Sequence, residues 1–146
     1  MHLFLYLLIA GCSLQSMEKA SSAEGHSIQI NLSGIRNSNG HILVSLFNKS
    51  EGWPDNPDNS FKKLRIPATA GTMTLKFDAL PPGKYAFAII HDENDNLTLD
   101  TGLFGIPKEG FCFSNDAMGT FGPPSFDDSS FNPATAALHK IKIRYW

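Results

Sequence analysis

The chain predicts an all-β domain, an antiparallel β-sandwich of about seven short strands. Three observations predict it. Short apolar runs alternate with polar residues at period two, and no stretch of twelve or more residues keeps a 3.6-residue period. Turn residues break the runs at regular intervals. The composition, with 12 Gly, 9 Pro and 11 Phe in 146 residues, suits a turn-rich domain with an aromatic core.

The first element is an address rather than part of the fold. Leu3 to Ala10 (LFLYLLIA) is an apolar run too short to span a bilayer, which needs roughly 20 residues. It matches the apolar region of a secretory signal peptide, although Met1-His2 supplies no Lys or Arg before it. Ile9-Ala10-Gly11-Cys12 resembles a bacterial lipobox, in which the Cys is lipidated and becomes the mature N-terminus. Cleavage after Ser21-Ser22-Ala23 is the alternative, giving a secreted or periplasmic soluble protein. The organisation expected is a signal peptide over 1–11, a lipidated Cys12 with a flexible polar tether over 12–26, and a sandwich domain over 27–146.

Within the domain, Ser27 to Ile35 places Ile28, Ile30 and Leu32 on one face and Gln29, Asn31 and Ser33 on the other. Asn37-Ser38-Asn39-Gly40 is a turn, and Ile42 to Phe47 is read as the returning strand of a hairpin. Lys63 to Pro67 is a weaker strand. Thr72 to Phe77 alternates again, and Leu80-Pro81-Pro82-Gly83 stops it, since proline cannot donate to a ladder. Lys84 to His91 is the most apolar strand and is expected to be central. Ala137 to Tyr145 closes the chain, with Leu138, Lys140, Lys142 and Arg144 opposite His139, Ile141, Ile143 and Tyr145.

Between the last two strands lies a long excursion, Asp92 to Thr135, with little strand pattern. Six of the 11 Phe are in it, which argues for an ordered segment whose phenyl groups pack on one end of the sandwich. Charge singles out the same segment. The net charge of −2 divides into −7 over residues 92–132, +2 before it and +3 after it. So small a net charge argues against a nucleic-acid partner.

Four features could carry chemistry. Asp92, Asn94 and Asn96 fall at every second position, followed by Thr98 and Asp100, and this spacing resembles the ligand positions of a calcium loop. Leu97 stands where that loop needs Gly, and Leu103 where it needs Glu. The same residues also suit an Asx-rich turn that bonds its own backbone. His91 beside Asp92 could form the acid–base pair of a hydrolase, but no nucleophile motif accompanies it, and a strand-end His is commonly satisfied structurally. Trp53, between Gly52 and Pro54, could stack on a sugar or pin its loop to the core. Cys112, between Phe111 and Phe113, reads as a small buried hydrophobe in acidic surroundings that oppose a reactive thiolate. No Cys-x-x-Cys or His-x-x-x-His spacing supports a zinc site.

Ser45-Leu46-Phe47, Glu51-Gly52-Trp53-Pro54, Leu80-Pro81-Pro82-Gly83-Lys84-Tyr85-Ala86, His91-Asp92-Glu93-Asn94 and Leu99-Asp100 together resemble a family of bacterial exported proteins. Gly105 to Gly110, Phe113-Ser114-Asn115 and Phe121-Gly122-Pro123-Pro124-Ser125-Phe126 extend the match over residues 27 to 146. The family is domain of unknown function 2141. The resemblance implies an exported, non-catalytic, Ig-like sandwich of the transthyretin-like and carboxypeptidase-regulatory group, with no established activity. Leu97 and Cys112 depart from it, each standing where Gly is usual.

The function expected is that of an envelope lipoprotein, lipid-anchored at Cys12, whose sandwich is a non-catalytic binding or structural module. A weak Ca²⁺ site at 92–100 would hold the acidic segment in shape. A carbohydrate-binding or other ligand-binding module using Trp53, His91 and the 92–135 segment is the alternative, with an envelope protein or glycan as partner. A hydrolase using His91 and Asp92 is the third reading.

Overall fold

The computed structural model describes residues 25–146. The expected signal peptide, the lipid site at Cys12 and nearly all of the tether lie outside the described residues. Seven strands form two sheets: β1 (His26–Ile35), β2 (His41–Phe47), β3 (Lys62–Pro67), β4 (Gly71–Leu80), β5 (Ala86–Asp92), β6 (Gly110–Phe113) and β7 (Leu138–Lys142). One sheet has the order β4-β1-β7 and the other β3-β2-β5-β6. The single α-helical turn described, α1, is Phe126–Ser129. No described helix is long and apolar enough to cross a membrane.

The sheets close on one core. Ile28, Ile30 and Leu32 of β1 meet Ile42, Val44 and Leu46 of β2, with Phe87 and Ile89 of β5 and Ile141 of β7. Alternation decides which side of each strand is buried, as the sequence predicts. The most apolar strand, β5, lies inside its sheet between β2 and β6, and the weaker β3 lies at the edge.

Three expectations are corrected. First, β1 and β2 do not form a hairpin. β1 pairs with β4 and β7, whereas β2 pairs with β3 and β5. The Asn-Gly turn is an arch that carries the chain across the core from one sheet to the other. An arch and a hairpin place the same alternate residues inward, so periodicity alone does not separate them. Second, one pairing is parallel: β7 runs alongside β1, Gln29 opposite Leu138 and Ser33 opposite Lys142. Third, the excursion contains a strand. β6, only four residues long, pairs with β5 through Ala88–Phe113 and Ile90–Phe111. Its apolar run, Phe-Cys-Phe, is too short to show a period.

Cys112, in the middle of β6, is 1% exposed and belongs to the core. Burial pushes its thiol pKa up, so it lacks the thiolate that a nucleophile needs. The phenyl groups of the excursion divide. Phe111 and Phe131 are buried, and Phe113 and Phe126 are half-buried. Phe104 and Phe121, expected to pack down, are fully exposed instead.

Candidate functional site

The outer faces of the two sheets differ. On the three-stranded sheet the outward residues are polar apart from Leu138: Gln29, Asn31 and Ser33 on β1, Thr72, Thr74 and Lys76 on β4, Lys140 and Lys142 on β7. This is the usual pattern of a sandwich face in water. On the four-stranded sheet the outward residues form two cross-strand rows. One runs Arg65–Leu43–Ile90–Phe111 and the other Lys63–Ser45–Ala88–Phe113. Apart from the two cations on the edge strand and Ser45, these rows are apolar.

The rows floor a cleft of about 800 Å³. Two arms of the excursion contribute to its lining, one from residues 97–107 and one from 118–123. Pro54 and Pro57 from the β2–β3 connection and the C-terminal Trp146 complete the lining. The lining is mainly apolar, with a few polar residues among it (Ser45, Asp55, Thr98, Thr101, Thr120). Of the floor residues, Phe111 and Phe113 fall in the 92–135 segment expected to bind a ligand, and Leu43, Ser45, Ala88 and Ile90 are not predicted from sequence. The available signal was β5 itself: Ala86, Phe87, Ala88, Ile89 and Ile90 are apolar on both faces. In a two-layer sandwich only one face can point at the core, so the other must meet something else.

The predicted metal residues build the root of the first arm. The Asp92 carboxylate is fully buried and accepts the backbone N–H groups of Asn96 at 3.1 Å and Leu97 at 2.9 Å. Asn96 Oδ1 accepts the Thr98 N–H at 3.0 Å. Asn94 and Asn96 both turn their side-chain NH₂ groups to Asp100. In this arrangement both amides present N–H donors to the Asp100 carboxylate, whereas a calcium ion would take their oxygens. Among the described residues, no three His, Cys, Asp or Glu side chains are grouped to hold a metal. As arranged, the side chains of Asp92, Asn94, Asn96 and Asp100 bond one another and the loop backbone. They form an Asx-rich turn, and Asp95 and Leu97 adopt the positive φ that such a turn requires (58° and 65°).

A residue that sequence reasoning missed fastens this turn. Glu109 is buried, and its two carboxylate oxygens accept the N–H of Glu93 at 2.9 Å and of Asp100 at 3.1 Å. It thus staples both ends of the 93–100 loop to the start of β6. A lone Glu in an acidic stretch carries no sequence signal for such a role.

His91 is fully buried at the end of β5. Its Nε2 donates to the Asn39 carbonyl at 2.8 Å, because a carbonyl can only accept. Its Nδ1 bonds the Tyr145 hydroxyl at 2.7 Å. That hydroxyl also accepts the Arg36 amide at 3.3 Å, and the Arg36 guanidinium lies 4.4 Å over the Tyr145 ring. Arg36 in turn clamps Glu93 with two bonds of 2.6 and 3.1 Å. Hydrogen bonding to Arg36 holds the Glu93 pKa below the ordinary value, and the same bond raises that of Arg36. Burial raises the Tyr145 pKa. Gly40 is required beside this cluster. It has φ +62°, and a Cβ would stand 1.9 Å from the Asp92 carbonyl oxygen. His91 and Asp92 are therefore occupied in holding the arch and the loop, and neither faces the cleft.

Trp53 is half-buried. It lies edge-on to Phe47 and Phe126 and tilted against Phe113, at centroid distances of 5.3, 5.9 and 5.8 Å. Its Nε1 donates to the Pro124 carbonyl at 2.9 Å. Trp53 thus ties the β2–β3 connection to the second arm, the pinning role open to it from sequence, and its ring is committed to protein contacts.

No curated protein matches the chain, and no solved structure does. A family model does match, over residues 30–140, described as an uncharacterized protein conserved in bacteria. The two-sheet architecture is consistent with the sandwich group that the sequence resemblance implies. The match runs from within β1 to within β7 and takes in both arms of the cleft, and the chain belongs to this family, domain of unknown function 2141.

Proposed function

We propose that this chain is an exported, envelope-tethered and non-catalytic binding module, and that the cleft on the outer face of its four-stranded sheet is the binding element. The observation that carries the reading is the apolar floor, Leu43, Ala88, Ile90, Phe111 and Phe113, on a face that a sandwich normally gives to water. The ligand class it suits is a small apolar molecule or an acyl chain. Burying such a group yields roughly 25 cal/mol per Å² of apolar area. The lipobox at Ile9 to Cys12 supports tethering to the envelope, with the polar stretch after Cys12 as spacer.

An anilinonaphthalene sulfonate titration tests the cleft. Ser45→Phe adds a phenyl group to the floor from a half-buried, outward position and leaves the core untouched. The dye should bind the wild type and bind Ser45→Phe at least tenfold more weakly, with both proteins melting alike. Equal dye binding by the two proteins, or no binding by either, rejects the cleft as the binding element.

A further inference from the structure

The two arms that wall the cleft share an unusual chemistry. The excursion is the acidic part of the chain, yet residues 101–107 (TGLFGIP) and 117–125 (AMGTFGPPS) carry no charge at all. The acids and Lys108 stand at the roots of the arms. Each arm contains a Phe-Gly-x-Pro tetrapeptide, Phe104 to Pro107 and Phe121 to Pro124. In each, the Gly has a positive φ, +71° at Gly105 and +112° at Gly122, so the chain turns sharply just after the Phe. The result is a phenyl group at each tip, 98% and 101% exposed. Leu103, at 83%, stands beside the first.

A scattered exposed hydrophobe needs no explanation, but a paired set on two uncharged tips does. Gly105 and Gly122 line the same cleft, so both tips rise beside one mouth. Trp146, 72% exposed, lines that mouth as well, and Trp is a residue favoured at membrane–water interfaces. We infer that the two Phe-tipped arms are a docking surface for a lipid bilayer, with Phe104 and Phe121 entering the hydrocarbon boundary. The charge pattern at the tips favours this occupant. Uncharged tips enter hydrocarbon without desolvating an ion, because the acids stay behind at the roots. The acidic roots, drawn up to the headgroups, favour zwitterionic over anionic lipid. The inference does not require the cleft to hold a ligand.

The test uses the full chain with zwitterionic phosphatidylcholine vesicles that carry brominated acyl chains. Phe104→Trp and Phe121→Trp place a fluorophore at each tip, read against the parent with its own Trp53 and Trp146. The added Trp emission should shift to the blue and be quenched by the brominated lipid, unchanged by high salt and weakened by adding anionic lipid. Reading depth at the tips separates docking by the arms from attachment through the N-terminal apolar run. A chain that sediments with vesicles while both tip fluorophores stay unquenched overturns the inference. So does a failure to sediment. Phe104→Ser with Phe121→Ser should reduce the component of binding due to the arms by about a hundredfold, on the order of tenfold per phenyl. If that double variant instead turns a dimer into a monomer and leaves vesicle binding unchanged, the tips dock on a second copy and the lipid surface is rejected.

Discussion

Glu109→Ala is the most informative single change to the cleft's first wall. The side chain is buried, and each carboxylate oxygen accepts a backbone N–H, one from either end of the 93–100 loop. Hydrogen bonds to a charged acceptor contribute about 1.5–3 kcal/mol each. Both amides sit in residues that are only half-buried, so water can reach them once the carboxylate is gone. The removal also relieves the cost of burying a charge. Together these reduce the loss to about 2–3 kcal/mol, a sizeable share of the 5–15 kcal/mol typical of a domain. At roughly 4 °C per kcal/mol for a domain of this size, the melting temperature should fall by about 10 °C. Glu109→Gln keeps one accepting oxygen and should lose about half as much. Thermal melting followed by circular dichroism measures the shift, and hydrogen exchange locates it: the amides of Glu93 and Asp100 should lose protection first. Dye affinity should fall as well, because the loosened loop is the root of one wall. Asp127→Asn, on an exposed residue with a 4.0 Å contact to Lys84, serves as control and should change stability by less than about 0.5 kcal/mol. If Glu109→Ala melts within about 2 °C of the wild type, on the same scale of roughly 4 °C per kcal/mol, the staple is not what holds the arm.

Trp53→Ala should cost about 2–4 kcal/mol, since it removes three aromatic contacts and the bond to the Pro124 carbonyl. The urea midpoint should drop with its slope unchanged. The Arg36–Glu93 clamp predicts a pH dependence. The folded-state pKa of Glu93 is lowered, so its contribution is present above the unfolded value of about 4.3 and is lost as pH falls through the folded value. The stability gap between wild type and Glu93→Gln should therefore be constant near neutrality and close in acid, as melting across pH will show; a gap that widens in acid would refute the assignment. Adding millimolar Ca²⁺ should leave the melting temperature of the wild type within error, because Asn94 and Asn96 present donors to Asp100; a rise that chelator reverses would show that the loop rearranges around the ion.

Much of the fold was legible because burial in a sandwich is written at period two. Ile28, Ile30 and Leu32, or Ile141 and Ile143, declare their inward side directly. What was not legible is which strand each one pairs with. The partner of β1 across the Asn-Gly turn depends on whether the chain bends within a sheet or crosses the core, and the inward residues are identical in the two cases. The strand β6 was hidden because four residues are too few to show alternation. The candidate site was half visible. The acidic, Phe-rich excursion does form two walls of the cleft, but the floor belongs to strands whose outward residues look like ordinary strand residues. The sequence signal for that floor was the doubly apolar β5, which is also what marks a central strand. Asp92, Asn94 and Asn96 were found by spacing, but spacing cannot tell an oxygen that faces an ion from one that caps a backbone amide.

The most direct test of the account is a map of backbone amide shifts during titration with a medium-chain fatty alcohol such as decanol. A binding module that uses the outer face of the four-stranded sheet predicts saturable shifts clustered at Leu43, Ala88, Ile90, Phe111 and Phe113 and along the two arms. Shifts confined to the polar face of Gln29, Asn31 and Lys140, or no saturable shifts at all, would contradict it.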